Sequence, residues 1–539
     1  MSTVGGVVRS SAAVALGTAL SRLTGLARLA ALAYAMGFTR LTDTYNLANT
    51  TPNIVYELLL GGVLSATLVP TFVDHHERGD EEATSAVVTV AAAVLVALTT
   101  IGVLAAPAIV RLYTIRVEGD AAAAQQEVAT ALLRLFMPQM LFYGLIALAT
   151  ALLHAHRRFA APAFSPVLNN LIVTGVFLAL PEVAGQTPTL DAIRDDGGLV
   201  LLLGLGTTAG VAAMALALIP ALRGAGIRLR PVLEWRHPAV RRVLALSGWT
   251  VGYVASNQLA LWLVLVLANA SAGGVAAYQG AFVFFQLPHG LVAVSLMTTL
   301  TPELALAASR ADMPAFRRQF LLGVRFMSLA ILPAAAGYLV MARPVVGFLL
   351  ERGALTDTSA DLTARCLGAF AAGLLPFSLY LYALRGFYAL RDTRTPFLLN
   401  CFENGLNIAL ALVLEPSLGV PGLALAYAGA YAVAAVVALR ALHRRTATDG
   451  GGGSTGGDPG TGSTGPERAT AASLARMVAA AAVMAVAVRA GLALVPEGRT
   501  VAEVVTGVLV GIPVYVLTLA ALRGGELGEL LSRRRHSPA

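Results

Sequence analysis

The most constraining feature of this sequence is a pair of apolar segments near its start that are long enough to cross a membrane and yet carry charges. The first contains Arg22 and Arg28, and the second contains Glu57. A charged side chain at bilayer depth raises the free energy of insertion by at least ~2.5 kcal/mol, so it usually faces a protein interior or an aqueous cavity. The two segments therefore predict a water-filled cavity with arginine on its wall.

The composition places the whole chain in a membrane. Of its 539 residues, 57% are hydrophobic and 13% are charged, a balance that a soluble protein of this length could not distribute over its surface. The net charge of +8 comes from arginine alone, because the sequence contains no lysine. The chain therefore lacks the lysines of Walker A motifs, Schiff bases and protein kinases, and it does not hydrolyse nucleotides by those routes. Two cysteines, Cys366 and Cys401, suggest neither a disulfide framework nor a metal site.

About fourteen apolar stretches are long enough to span ~30 Å of hydrocarbon as helices, which predicts an all-α polytopic membrane protein. They cover roughly 10–36, 43–73, 84–112, 128–154, 161–181, 197–222, 239–269, 274–306, 316–342, 359–388, 396–414, 417–443, 470–495 and 500–522. An even number of spans puts both termini on one side. With the N-terminus in the cytoplasm, the arginine-rich loops lie inside, as the positive-inside rule requires.

Weak internal similarity divides the chain into two groups of six spans. The stretch H-R-R-F-A-A-P that ends at Pro162 resembles R-D-T-R-T-P ending at Pro396. Two similar lobes imply a central cavity between them. The predicted organisation is an N-terminal lobe over 1–222, a C-terminal lobe over 223–443 that begins with a basic inner loop, a Gly/Ser/Thr-rich cytoplasmic linker over 444–469, and two further spans with a basic tail over 470–539.

The spacing of polar residues in the two charged segments puts them on defined helical faces. On the first, Ser21 and Arg28 are seven residues apart and share a face, with Arg22 beside them. The second carries one polar stripe at steps of three and four, made of Asn46, Asn49, Thr50, Asn53 and Glu57. Pro52 interrupts the stripe and predicts a bend. We therefore expect the cavity wall to include Ser21, Arg22, Arg28 and Asn53.

The acidic residues of the second segment admit another interpretation. Counted at ~1.5 Å per residue from the connecting loop, Arg22 and Glu57 lie at a similar depth, and Arg28 lies nearer Asp43. The arginines could then form structural ion pairs with these carboxylates. Glu57 would then be the counter-charge of Arg22. It could instead carry a proton or a cation. Asp43 is expected to be a gating partner or a helix cap.

A second polar face is predicted in the eleventh span. Asn400, Glu403, Asn404 and Asn407 recur at steps of three and four. Carboxylate and amide oxygens together could hold a cation, and hydrogen bonding between helices is the more common role of such residues. The charged run from Asp74 to Glu82 is typical of a solvated inner loop, so no firm metal site is predicted.

Several stretches resemble the MurJ/MviN family of lipid-linked peptidoglycan precursor flippases, within the multidrug/oligosaccharidyl-lipid/polysaccharide exporter group. They are S-R-L-T-G-L-A-R from Ser21, T-D-T-Y-N from Thr42, T-P-N-I-V-Y-E-L-L-L-G-G from Thr51, F-Q-L-P-H-G from Phe285 and R-D-T-R-T-P from Arg391. The resemblance implies a fourteen-helix flippase whose two six-helix lobes alternate access to a cationic cavity, with a groove for the polyprenyl tail in the last two helices. It implies a sodium site in some members.

The resemblance also assigns residues. Arg22 and Arg28 match family arginines of the first helix, and Asp43 matches the aspartate that begins the second. The chain has Tyr56 and Val283 where some members have further arginines. A lipid pyrophosphate is anionic, and guanidinium suits bidentate contacts to its oxygens.

These observations lead to a functional hypothesis. We expect a flippase that moves undecaprenyl-pyrophosphate-linked peptidoglycan precursor across a bacterial plasma membrane. It makes and breaks no bond, uses no cofactor, and is driven by membrane potential, Na⁺ or H⁺. The expected partners are the precursor, membrane lipids and cell-wall synthesis proteins, with no nucleic acid. The alternatives are another lipid-linked polysaccharide cargo, an ion-coupled multidrug exporter of the same fold, and a non-transporting membrane scaffold.

Overall fold

The computed structural model describes residues 4–58, 68–448, 465–496 and 498–522. All regular secondary structure in these ranges is helical. Eleven of the described helical segments are long and apolar enough to cross a membrane. Each of the fourteen predicted spans coincides, where it is described, with one helix or with successive helices. The prediction of an all-α polytopic membrane protein is therefore confirmed.

The chain forms two compact units. The first comprises residues 1–276 and 350–359, and the second comprises residues 277–349 and 360–539. The predicted lobe boundary at residue 222 rests on a count of spans and stays a prediction.

The first unit contains eleven described helices and the first turn of a twelfth. They are α1 (Val4–Met36), α2 (Arg40–Leu58), α3 (Val69–Arg78), α4 (Glu81–Tyr113), α5 (Gly119–Phe136), α6 (Gln139–Ala155), α7 (Ala160–Ala184), α8 (Leu190–Asp195), α9 (Gly197–Leu216), α10 (Ile219–Gly224), α11 (Pro238–Ala268) and the start of α12 (Gly274–Pro288).

Small residues allow the helices of the first unit to approach closely. The helix α1 packs along α7, and α7 packs along α9. A Cβ atom at Gly17 would lie 2.9 Å from the Cβ of Ala163, closer than real Cβ contacts allow. A side chain at position 17 would therefore push α1 away from α7.

The second unit begins within α12. After a π-helical turn (His289–Ala293), it contains α13 (Val294–Ser309), α14 (Met313–Leu350), α15 (Asp357–Ala389), α16 (Arg394–Leu418), α17 (Val420–Thr448), α18 (Gly465–Leu492) and α19 (Thr500–Ala521).

The last two helices, α18 and α19, pack on each other and on α14 through an apolar cluster. Tyr515 anchors this cluster, because its hydroxyl donates a hydrogen bond to the Leu329 carbonyl at 3.0 Å and its ring is buried with Met477 and Met484. The predicted linker over 444–469 is shorter in the structure, since α17 extends to Thr448 and α18 begins at Gly465. Its central part lies outside the described residues.

Four helix-ending turns share one backbone geometry. Each contains a residue in the left-handed region: Gly79 (φ 68°), Arg157 (φ 57°), Ala311 (φ 54°) and Arg391 (φ 58°). In every case the N–H of this residue donates to the carbonyl three positions back, and the next N–H donates five positions back. The turns follow the second, fourth, eighth and tenth predicted spans, so they occupy equivalent places in the two groups of six. This pairing supports the internal repeat.

Aspartate follows the left-handed residue in three of these turns and starts the next helix. The side chains of Asp80, Asp312 and Asp392 each accept a hydrogen bond from the backbone N–H three residues on, at 2.8–3.0 Å. Such a cap satisfies one of the free amides of a helix N-terminus. The pattern sharply fixes where α4, α14 and α16 begin.

Candidate functional site

The two arginines of α1 lie on a partly accessible side of the first unit. Arg22 is exposed and Arg28 is half-buried. Neither forms an ion pair or hydrogen bond with another described residue, although Arg28 lies within electrostatic range of the Tyr45 phenol. The ion pairs considered with Glu57 and Asp43 therefore do not form among the described residues. Both guanidinium groups keep their donors available for a ligand or water.

The α1 backbone between these arginines is held by α7. The Asn170 Nδ2 donates to the Ser21 carbonyl and to the Thr24 hydroxyl, each at 3.1 Å. The amide lies beside Gly25, where a Cβ would make only an ordinary van der Waals contact with Nδ2 at 3.6 Å. The contact involves the carbonyl of Ser21, whose side chain is half-buried. Asn170 thus positions the part of α1 that bears the arginines.

The polar stripe on α2 follows the predicted face. Asn46, Asn49, Thr50 and Asn53 are half-buried and Glu57 is exposed, whereas Leu41, Tyr45, Ala48 and Pro52 are buried on the opposite side. The Asn49 Oδ1 is buried and accepts no hydrogen bond from a described residue. The helix α2 continues through Pro52 to Leu58. The side chain of Tyr56 lies outside the described residues, and Val283 is half-buried.

Tyr45 anchors α2 behind Arg28. Its hydroxyl is 3.0 Å from the Thr207 hydroxyl, and its ring meets Phe136 and Phe177 edge to face, with centroids 5.4 and 5.3 Å apart. These contacts join α2 to α5, α7 and α9. The phenol that lies within electrostatic range of Arg28 is therefore held in place by three other helices.

Asp43 caps a helix. Its side chain is completely buried, and its two oxygens accept hydrogen bonds from the Gly273 N–H at 2.7 Å and the Ala276 N–H at 2.9 Å, at the start of α12. Both carboxylate oxygens are engaged by the backbone, which explains why Asp43 does not pair with Arg28. Of the two roles predicted for Asp43, the structure shows the cap.

A hydrogen-bond network beside Asp43 was not predicted from the sequence. Arg40 donates to the carbonyl of Asn269, and the Asn269 side chain accepts from Gln125 at 2.9 Å and donates to the Tyr113 carbonyl at 3.3 Å. The same end of the unit holds the segment 350–359, where the Ala354 N–H donates to the Tyr34 carbonyl at 2.9 Å. The available signal was polar residues placed at helix ends, such as Asn269 directly after α11.

The predicted polar face of α16 is buried inside the second unit. Asn400, Glu403, Asn404 and Asn407 are only 1–6% exposed. The Oε1 atom of Glu403 and the Oδ1 atom of Asn407 are buried, and no hydrogen bond from a described residue reaches either atom. Burying an acceptor without a donor costs about 1–3 kcal/mol, so such atoms usually serve a ligand or water.

Aromatic rings surround this face. Tyr431 of α17 donates a hydrogen bond to Glu403, and Tyr278 lies within electrostatic range of it. The ring of Tyr431 packs edge to face on Phe377, with centroids 4.9 Å apart. Interhelical hydrogen bonding, the common role of such residues, therefore accounts for part of the face. The remaining oxygens, on Glu403 and Asn407, form the donor set of a candidate cation site.

Solved structures of multi-span helical membrane proteins share this fold. A structure described as lipid II flippase MurJ in an inward closed conformation matches with a TM-score of 0.76 at 18% identity, over 94% of this chain and 99% of the other. An inward-facing MATE-family multidrug transporter of the MOP superfamily matches with a TM-score of 0.65 at 14% identity, over 81% and 100%. The fold class is thus that of these multi-span helical membrane proteins.

The family follows from sequence. A family model described as lipid II flippase MurJ matches residues 32–509, and this chain belongs to that family. A probable lipid II flippase MurJ of Rhizobium meliloti is 33% identical, over 78% of this chain and 77% of its own length. One of Vibrio cholerae is 27% identical, over 81% and 83%. The resemblance found in the sequence motifs is confirmed.

Proposed function

We propose that this protein is a lipid II flippase that moves undecaprenyl-pyrophosphate-linked peptidoglycan precursor between the leaflets of a bacterial plasma membrane. Membership of the family supports the cargo. The observation that carries the mechanism is Arg28, which is half-buried near Tyr45 and makes no ion pair with a described residue. A cation held in this way inside a membrane protein is suited to an anionic ligand.

Transport requires the protein to bind the precursor headgroup without any covalent reaction. Arg28 and Arg22 lie six residues apart on one helix, so they can approach successive phosphate groups or a phosphate and a sugar. Guanidinium binds phosphate oxygens through two parallel hydrogen bonds and stays charged at every physiological pH. The headgroup moves when the protein alternates between conformations, while the polyprenyl tail stays in the bilayer. No covalent step is required.

A cation coupled to transport would bind on α16. The acceptor atoms Glu403 Oε1 and Asn407 Oδ1 supply one carboxylate and one amide oxygen, ligands that suit a hard cation such as Na⁺. A proton at Glu403 is the competing proposal, and membrane potential can contribute in either case. The cation would compensate a buried negative charge, which links its binding to the packing of α16 and α17.

The orientation belongs to the same proposal. Each of the four matched turns contains or directly follows an arginine, and the positive-inside rule then favours a cytoplasmic location for these loops and both termini. Arg22 and Arg28, which would contact the precursor, would lie within the thickness of the bilayer in a water-filled cavity. Soluble cell-wall synthesis proteins, if they bind, would contact the loops.

The experiment is complementation of bacteria depleted of their own lipid II flippase, at matched membrane expression. The wild-type chain should restore growth and the outward exposure of precursor, measured with an external enzyme that cleaves the exposed headgroup. Arg28→Ala should fail in both readouts. Arg28→Lys keeps the charge and loses the bidentate geometry, so it should retain part of the activity.

The matched control is Arg111→Ala, which removes an exposed arginine at the end of α4. This variant should behave as wild type. Full activity of Arg28→Ala in both readouts would overturn the role of Arg28 in the cavity, whereas growth restored without outward exposure of precursor would favour a scaffold. A well-expressed wild type that fails in several hosts, while restoring export of another lipid-linked sugar, would assign a different cargo.

A further inference from the structure

A basic recess lies at the start of α16 in the second unit. It has a volume of about 520 Å³ and is lined by Arg391, Asp392, Thr393, Arg394, Thr395, Leu398 and Arg445. Three of these seven residues are arginines. The recess is remote in sequence from Arg22 and Arg28, and none of its lining residues belongs to the buried polar face of α16, so neither part of the proposed mechanism uses it.

The one carboxylate of the recess is already engaged. Asp392 accepts hydrogen bonds from the Thr395 N–H at 3.0 Å and the Thr395 hydroxyl at 2.7 Å, and it pairs with Arg445 at 3.2 Å. Its side chain is 9% exposed. Arg391 and Arg394 are exposed and their side chains make no hydrogen bond or ion pair with a described residue. The recess therefore keeps two uncompensated positive charges.

The matched turn of the first unit handles its arginines differently. Arg157 and Arg391 share the same left-handed backbone. Arg158, which follows Arg157, donates to the Gly224 carbonyl at 2.6 Å, whereas the position after Arg391 is the paired Asp392. Ala160 stands where the second turn has Arg394. The same backbone turn thus presents an arginine that is hydrogen-bonded to the protein in the first unit, and it borders a cationic recess in the second unit.

An apolar strip continues from the recess along α16. Leu398 and Phe402 are 54% and 44% exposed and follow Arg394 at steps of four. Residues at this spacing lie on one helical face. A positive charge at the helix start followed by exposed apolar side chains matches an amphiphile with an anionic head and a hydrocarbon tail. A soluble anion would use the head position alone.

We propose that this recess binds the phosphate group of an anionic phospholipid, with an acyl chain lying along Leu398 and Phe402. Arg391 and Arg394 contact the phosphate oxygens, and the Thr393 hydroxyl lines the same space. The site would hold a lipid of the leaflet next to the arginine-rich loops. It is independent of the cargo that the protein transports.

The test measures lipid binding to the purified full-length chain in detergent by native mass spectrometry. The probes are phosphatidylglycerol and phosphatidylcholine with identical acyl chains, and inorganic phosphate as a competitor. Each arginine near an anionic headgroup contributes about fivefold in affinity, so Arg391→Gln with Arg394→Gln should weaken phosphatidylglycerol binding by about tenfold or more. Phosphatidylcholine binding should change little.

The matched control is Arg157→Gln with Arg223→Gln, which removes two exposed arginines of the first unit and the same net charge. It should keep the preference for phosphatidylglycerol. An equal loss in this control would overturn the proposal, as would displacement of the lipid by an equal concentration of inorganic phosphate. In the wild type alone, the preference should fall as NaCl rises, because salt screens exposed charges. A preference insensitive to salt would also overturn it.

Discussion

Asp43 on α2 and Glu403 on α16 are both buried carboxylates, and their surroundings differ. Asp43 is 0% exposed and Glu403 is 1% exposed. Both oxygens of Asp43 accept backbone hydrogen bonds from the start of α12. Glu403 accepts from Tyr431, and its Oε1 atom accepts from no described residue. The protein satisfies the first carboxylate completely and the second only in part.

This difference separates a structural role from a ligand-binding role. A buried carboxylate such as Asp43, whose two oxygens accept backbone hydrogen bonds and which lies near the charge of Arg40, holds two elements together and has no free oxygen to offer a bound cation. A carboxylate with an unused buried oxygen is stabilised when a cation or proton arrives. Asp43 should therefore control stability, and Glu403 should control the response to ions.

The largest effect is expected for Asp43→Ala. The change leaves the amides of Gly273 and Ala276 without their acceptor, and it should lower the free energy of unfolding by about 2–4 kcal/mol, whatever the Na⁺ concentration. Unfolding in dodecyl sulfate mixtures, followed by circular dichroism, measures the loss. Asp43→Asn keeps one acceptor oxygen and should lose about half as much.

The control for Asp43 is Asp361→Ala, which breaks the exposed pair with Arg343 at 2.6 Å. Exposed pairs contribute under about 1 kcal/mol. If Asp43→Ala cost no more than this control, the cap would not matter and the comparison would fail.

Glu403→Gln should remove the response to cations. A ligand present at 100 times its dissociation constant stabilises the folded state by about 2.7 kcal/mol, so wild-type protein should gain up to this amount when NaCl replaces choline chloride. The variant should gain almost nothing, because the glutamine has no charge to offer. An unchanged Na⁺ response in Glu403→Gln would exclude this site for Na⁺.

Asn407→Ala sharpens the assignment with a smaller effect. The asparagine contributes one neutral oxygen, and its loss should weaken Na⁺ affinity by about tenfold, or about 1.4 kcal/mol. The stability without Na⁺ should stay the same or rise, because a buried acceptor without a partner is removed. A large loss of stability without Na⁺ would show that Asn407 is a packing residue.

The smallest effect concerns Asp392, a carboxylate outside the membrane-spanning segments. Burial alone raises the pKa of Asp392, but hydrogen bonds from Thr395 and the charge of Arg445 outweigh it and lower the pKa below its usual value. A lowered folded-state pKa stabilises the protein above the unfolded-state pKa, and this stability is lost as pH falls through the folded-state pKa. Asp392→Asn should therefore cost about 1 kcal/mol at pH 7 and nothing under strongly acidic conditions.

The measurement for Asp392 is the free energy of unfolding of the wild type and of Asp392→Asn, from pH 7 down to strongly acidic conditions. A difference that stays constant as pH falls would show that the side chain acts through shape and not through charge.

The sequence predicted the spans well, because their length and apolarity depend on the bilayer and not on tertiary contacts. It also predicted the faces of α2 and α16, since helical periodicity alone decides which residues share a side. Burial then followed the pattern: Asn400 and Asn407, seven residues apart, are both buried. These features are local, and local features can be read from one chain.

The partners of the site residues could not be predicted in the same way. Asp43 was weighed as a partner of Arg28 by depth, yet it binds backbone amides 230 residues away in the chain. Asn170 supports α1 from α7, and Tyr431 reaches Glu403 from α17. Such contacts depend on how helices pack, and a single sequence does not encode packing in its periodicity. The unused oxygens of Glu403 and Asn407 are visible only after this packing is known.

The four matched turns also provide equivalent positions for distance measurements. Arg157 and Arg391 have the same backbone conformation in different units, and both side chains are exposed. The chain's native thiols are few, since Cys366 is buried and Cys401 is half-buried within α16. Cysteines placed at positions 157 and 391 would therefore react with spin labels in preference to the native thiols. The two labels would be attached to backbone of the same conformation. Distances between the labels, recorded with and without precursor, would then report the motion of one unit relative to the other directly.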